Sequence, residues 1–184
     1  SKWSGGGWTL GYKAAGPFGY ISPNSGGYTT YGNSNDEIIE PGQWNHLAIT
    51  YDNSATTVRT FVNGYLSQTI TNAPATVRNT ATKLYLGAYG SGGGAYMHHG
   101  MISDLRLTVG SPRYTSAFTP PTEPLSNDSN TKVFVNSDLG IYNEKGASPD
   151  DDNKTNGTII NGDAKSSTTQ KKKASSSMYF DGSS

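Results

Sequence analysis

The sequence predicts an all-β chain, folded as an antiparallel β-sandwich of jelly-roll type. Three observations carry this. Short segments of alternating apolar and polar residues recur at roughly 8–12-residue spacing, with turn residues between them. No stretch sustains an apolar period of 3.6, so no amphipathic helix is expected. The composition is rich in Gly (23 of 184 residues), Tyr (12), Thr, Ser and Asn, which suits many short strands joined by tight turns.

Bulk properties exclude several classes. Hydrophobic residues make up 33% and charged residues 15%, unlike the high-charge, aromatic-poor profile of disordered chains. The formal net charge is zero, so the chain as a whole offers no field for nucleic acid or an anionic membrane. No apolar run is long enough for a membrane-spanning helix. The opening "SKWSGGGW" has neither an initiator Met nor the apolar core of a signal peptide, and is read as the start of a piece cut from something longer. With no Cys, disulfides play no part.

The elements follow in order. "GWTLGY" (Gly7 to Tyr12) alternates, with Trp8, Leu10 and Tyr12 on one face. "GPFGYISPNSGG" is a strand broken by Gly and Pro and ending in a turn at Asn24–Gly27. "GGYTTYGN" is aromatic and β-branched, hence a strand. The clearest signal is "WNHLAITYDNSATTVRTFVNGYLS" (Trp44 to Ser67): two strands around a polar turn, with Leu47, Ile49 and Tyr51 on one face and Trp44, His46 and Ala48 on the other. Asn63-Gly64 marks a tight turn or bulge. "KLYLGAYG" (Lys83 to Gly90) reads as a strand, and "SGGGAYMHHG" as a Gly-rich loop. In "MISDLRLTVG" (Met101 to Gly110), Leu105, Leu107 and Val109 share one face, and Asp104, Arg106 and Thr108 the other.

After Leu125 the composition shifts. "SNDSN" is a linker, "TKVFVN" a strand, "EKGASPDDDNKTNG" an acidic polar loop and "TIINGDA" a short strand. "SSTTQKKKASSS" is a polar crossing and "SMYFDGSS" a strand. The boundary places one domain over residues 1–125 and a second segment over 126–184.

At this point a family resemblance enters. "WNHLAITYDNSATTVRTFVNG" resembles the central hairpin of laminin G-like domains of the concanavalin A-like lectin superfamily, with Trp44, His46, Ala48, Arg59, Phe61, Asn63 and Gly64 in the family's places. "GMISDLRLTVGSPRYTSAFTPPTEPL" is similar to the closing strand and Pro-rich exit of the phage and bacterial branch. The tail, through "SSSMYFDGSS", resembles the opening strands of such a domain. The resemblance implies that residues 1–125 lack their opening strands. It implies that 126–184 supplies the opening of a following domain, or of the same domain in permuted order with Ser177–Gly182 folded back onto Gly100–Gly110. A window from a tandem array is the expectation; the chain holds no internal duplicate, which fits about one repeat period.

Candidate sites compete with structural roles. Trp44, Leu47, Ile49, Phe61, Leu105 and Leu107 are expected in the core, because alternation explains them. His46 is expected to be packed and hydrogen-bonded. Asp104 and Arg106 share a face, for which an ion pair with neighbouring strands is the simplest role. His98 and His99 stand beside Tyr96, but adjacent His residues on a strand point to opposite sides and rarely ligate one ion. "GSGGGA" (Gly90 to Ala95) lacks the Lys-Ser/Thr ending of a phosphate loop. Asp150, Asp151 and Asp152 offer hard oxygen ligands suited to Ca²⁺, without the spacing of a Ca²⁺ loop; a solvated charge run is the competing reading. No other cofactor is expected.

An enzyme needs a paired acid and base. The lectin-fold glycosidases that the chain resembles carry Glu-x-Asp-x-x-Glu on one strand. The acids of the main domain (Asp36, Glu37, Glu40, Asp52, Asp104, Glu123) do not form it, and there is no Gly-x-Ser-x-Gly elbow. Catalysis is not expected. The resemblance implies a non-enzymatic adhesion module that recognises a glycan or host cell-surface receptor, on a phage tail, virion appendage or bacterial surface. The alternative is a structural repeat that binds neighbouring copies in a fibre. For glycan contact the candidates are Tyr89, Tyr96, His98 and His99 in the Gly-rich loop, with Asn24 in a second turn: aromatic faces stack on sugar rings, and polar tips and backbone reach hydroxyls.

Overall fold

A computed structural model describes residues 2–3, 7–13, 16–24, 27–32, 39–78, 84–88, 98–136, 140–143, 165–167 and 177–180. Among these every regular element is a strand, and all pairings are antiparallel. No helix among them is long and apolar enough to cross a membrane. The chain divides into two compact units, Ser1–Ser91 with Ser111–Pro120, and Gly92–Gly110 with Pro121–Ser184.

The first unit is a sandwich. One sheet runs in the order β1 (Lys2–Trp3), β2 (Gly7–Lys13), β3 (Gly16–Asn24) and β4 (Gly27–Gly32). The other is formed by β5 (Leu47–Asp52), β6 (Thr57–Val62) and β7 (Tyr65–Ile70), with β6 in the middle. They meet at a core of Ile21, Val58 and Ala73, with Ile49, Tyr51, Ile70 and Val77 packed against it. Gly19 of β3 lies directly on the Ile49 side chain, which fills the space a Cβ would need.

The β5–β6 register pairs Leu47, Ile49 and Tyr51 with Val62, Thr60 and Val58. Cross-strand partners share a face, so these six line the inner side. Ala48 and Thr50 share the outer side with Phe61 and Arg59. Central β6 is covered on both faces: Val58 and Phe61 are fully buried, and Thr60 and Val62 nearly so. Leu47 and Ile49 were expected to be buried but are only half-buried, as is Trp44 just before them. The reason is position: β5 is an outer strand of its sheet. Asn63 and Gly64 form the two-residue β6–β7 turn with φ of 51° and 84°, as Asn-Gly hairpins require.

Of "KLYLGAYG", the described residues 84–88 do not form the expected strand. Among residues 84–88 only Ala88 makes a bridge, and Gly87 at φ 76° leaves the extended region.

The second unit holds β8 (Gly100–Ile102) and β9 (Asp104–Thr108), one run interrupted at buried Ser103. It also holds β10 (Thr131–Asn136), β11 (Gly140–Asn143), β12 (Lys165–Ser167) and β13 (Ser177–Phe180). Its sheets are ordered β11–β10–β9 and β12–β13–β8. β12 falls where the sequence suggested a polar crossing. Leu105 and Leu107 stand opposite Val135 and Val133. They were expected in the core but are half-buried. The residues described as buried in this sheet are Thr131, Phe134 and Val135, all on the strand with neighbours on both sides. Val109, expected on the same face, lies past the end of β9 and is exposed.

Candidate recognition surface

The β6–β7 turn organises one end of the first unit. Asn63 Oδ1 accepts from the His46 backbone N–H at 2.8 Å, and the Asn63 N–H donates to the His46 carbonyl at 2.8 Å. Asn63 Nδ2 donates to Asn45 Oδ1 at 3.2 Å, and Asn45 Nδ2 donates to the carbonyls of Glu40 and Gln43. One Asn side chain therefore fixes the approach to β5 as well as its own turn.

The return segment, residues 111–120, docks on this scaffold. The Phe118 N–H donates to the Gly64 carbonyl at 2.9 Å, and Thr50 Oγ1 donates to the Tyr114 carbonyl at 3.0 Å. Phe118 and Tyr114 thereby cover the outer face of β6. The His46 ring meets Phe118 edge-on at 5.5 Å and Tyr114 at 6.4 Å. His46 thus acts here as a packing ring.

Beside this cluster two large side chains are left in water. Tyr65 is 64% exposed and Leu66 39% exposed, at the start of outer strand β7. A register shift between Thr60 and Phe61 sets Leu66 opposite Phe61 and Tyr65 opposite Val62. The pair directly follows the Asn63–Gly64 turn. Sequence reasoning passed over it. The signal was present: Tyr-Leu directly after Asn-Gly breaks the alternation, so both side chains cannot share one buried face.

Of the residues proposed from sequence, Tyr89, Tyr96, Asp150, Asp151 and Asp152 lie outside the described residues. Asn24 closes β3, its backbone opposite Gly27, in the first unit. His98 and His99 precede β8 in the second unit; His98 is half-buried and His99 exposed. Burial pushes the His98 pKa below its ordinary 6.5, and the neighbouring His99 charge adds to this against a hydrogen bond with the Met101 backbone. Among the described residues no three His, Asp or Glu side chains converge as a metal site. Arg106 donates from Nη1 to the Ser126 carbonyl at 2.9 Å.

A family model described as the concanavalin A-like lectin/glucanases superfamily matches residues 1–110. No curated protein and no solved structure matches the chain.

Proposed function

The chain belongs to the concanavalin A-like lectin/glucanases superfamily, and from this premise we propose that it is a non-enzymatic adhesion module recognising a glycan or host cell-surface receptor. Membership supports carbohydrate or surface binding in general. The finer reading, a module on a phage tail, virion appendage or bacterial surface and hence extracellular or on the virion, rests on the closing-strand motif around "GMISDLRLTVGSPRYTSAF". The superfamily's name also covers glucanases. The non-enzymatic reading rests on the sequence, in which the Glu-x-Asp-x-x-Glu spacing of such enzymes does not occur.

The observation that carries this reading is the exposure of Tyr65 and Leu66 on a braced strand. A Tyr presents a flat apolar ring with a hydroxyl at its tip, the chemistry that stacks on a pyranose. The sequence adds Tyr89, Tyr96, His98, His99 and Asn24 as separate candidates, for their aromatic faces and polar tips. A glycan array with the full chain tests this. Tyr65→Ala should weaken binding by about 0.5–1.5 kcal/mol, and Tyr89→Ala with Tyr96→Ala by about 1–3 kcal/mol. Repeating the array with a chelator tests Ca²⁺ at Asp150–Asp152. Binding unchanged in both Tyr variants would remove these surfaces, and no binding by the intact chain would remove the glycan reading.

A second reading has its own support. The tail strands β10 and β13 pair with β9 and β8, which lie inside the family match. Strand complementation of that kind suits a structural repeat that binds neighbouring copies.

A further inference from the structure

The family match ends at residue 110, just after β9, yet β8 and β9 find their partners beyond it. β9 pairs with β10, from Thr131↔Thr108 to Asn136↔Asp104. β8 pairs with β13 through Met178↔Ile102, Tyr179↔Met101 and Phe180↔Gly100. Both tail strands run in the same direction along the Gly100–Thr108 run. The family segment is thus completed by strands that lie after it in the sequence.

The two tail strands are held differently. β10 is central in its sheet, hairpinned to β11, and carries buried Phe134 and Val135. β13 is also central, between β12 and β8, but it is only four residues long and meets each neighbour over three residue pairs. Such a short ladder opens at little cost compared with the whole fold. β12 travels with β13, so the tether is the sequence joining Asn143 to Lys165, residues 144–164. At roughly 3.3–3.6 Å per residue when extended, it spans more than the width of a small domain. The geometry points to β8 as a strand-acceptor edge and to the β12–β13 hairpin, presenting Ser177–Phe180, as its exchangeable ligand. We propose that copies of this chain swap this hairpin reciprocally, so that the partner is a second copy. The proposal rests on the structural-repeat reading and is independent of glycan binding. In the isolated chain the tether holds β13 near β8 at a local concentration in the mM range. Where copies are equally concentrated, as in an array, the neighbour's strand competes on equal terms.

The absence of Cys makes a direct test available. Opposed residues of an antiparallel pair lie within the span of a disulfide. The full chain is prepared as Met101→Cys and as Tyr179→Cys. The two are mixed at on the order of 1 mM, comparable with the tether's effective concentration, and oxidised mildly. Exchange is expected to give disulfide-linked heterodimer at least about tenfold above a mixture of Met101→Cys with Ser54→Cys, whose cysteine sits on an exposed turn. Heterodimer no more abundant than in that control overturns the exchange. A chain carrying both Met101→Cys and Tyr179→Cys should close on itself when dilute; a folded double variant that does not overturns the pairing as well. The neighbouring register pair, Ile102→Cys with Met178→Cys, repeats the test if the first variants fold poorly. Glycan binding by the same proteins is read separately, so either idea can fail alone.

Discussion

Tyr114 and Phe118 stack face to face, with ring centroids 3.6 Å apart and planes 5° from parallel. Phe61 meets Phe118 at 5.4 Å and Tyr114 at 6.1 Å, edge-on to both. The outer face of the central strand is therefore roofed by side chains from an irregular return segment. Its backbone is pinned at Thr50 and Gly64.

That relationship predicts coupling. Phe61→Ala should cost about 3–5 kcal/mol, because a fully buried ring leaves a cavity. A double-mutant cycle on Tyr114→Ala and Phe118→Ala should return about 0.5–1.5 kcal/mol of pairwise energy. Urea denaturation of the four proteins gives both numbers, and a coupling near zero would show that the rings only fill space.

Two glycines separate backbone strain from crowding. Gly42 has φ 77° and open space where a Cβ would stand; Gly64 has φ 84°, and a Cβ there would overlap the Phe118 carbonyl oxygen. Gly42→Ala should therefore cost about 1–2 kcal/mol, the price of a left-handed backbone alone. Gly64→Ala should cost about 2–5 kcal/mol, because displacing the return segment adds an overpacking cost. Equal melting temperatures for the two variants would contradict the close approach.

Thr60 offers a stabilising change. It is 1% exposed on the inner face, and its Oγ1 has no hydrogen-bond partner among the described residues. Thr60→Val keeps the shape and removes a desolvated hydroxyl, so it should stabilise by about 1 kcal/mol. A lower denaturation midpoint would show that the hydroxyl is satisfied.

Two of the described groups contribute to the acid side of the stability profile. Asp52 has its pKa lowered below 3.8, first by the Ser54 hydroxyl and then by the Ala55 N–H. Its contribution is present above pH 3.8 and lost as pH falls through the lowered value. His98 also has a lowered pKa, chiefly through burial, so it folds neutral. Its contribution is present above pH 6.5 and lost as pH falls through its folded value, when the buried imidazole must take a proton. The protection factors of the β8 amides, corrected for the intrinsic pH dependence of exchange, should therefore fall on acidification below pH 6.5 in the native chain, and much less in His98→Gln. Identical profiles would remove His98 from the account.

The hairpin was legible because its determinants are local. A two-residue alternation sets the faces, and Asn63-Gly64 sets the turn. How deeply Leu47, Ile49, Leu105 and Leu107 are buried was not legible. Depth depends on which strand lies in the middle of a sheet, and that is decided by pairings distant in sequence. "KLYLGAYG" has strand composition, but in its described part, residues 84–88, Gly87 leaves the extended region. For the recognition surface, the loop tyrosines Tyr89 and Tyr96 were chosen by residue type and lie outside the described residues. Tyr65 was missed although it directly follows the Asn63-Gly64 motif, because the β6–β7 register shift beside it is set by pairing and not by residue type.

The division of the chain also bears on how it is made. The first unit needs residues 111–120, which follow the whole Gly92–Gly110 stretch that belongs to the second unit. Phe61 therefore emerges from the ribosome long before Tyr114 and Phe118 arrive to cover it, so the hairpin that forms early remains an unfinished surface during synthesis. Such long-range closure slows folding and lengthens the interval in which a nascent chain depends on chaperones.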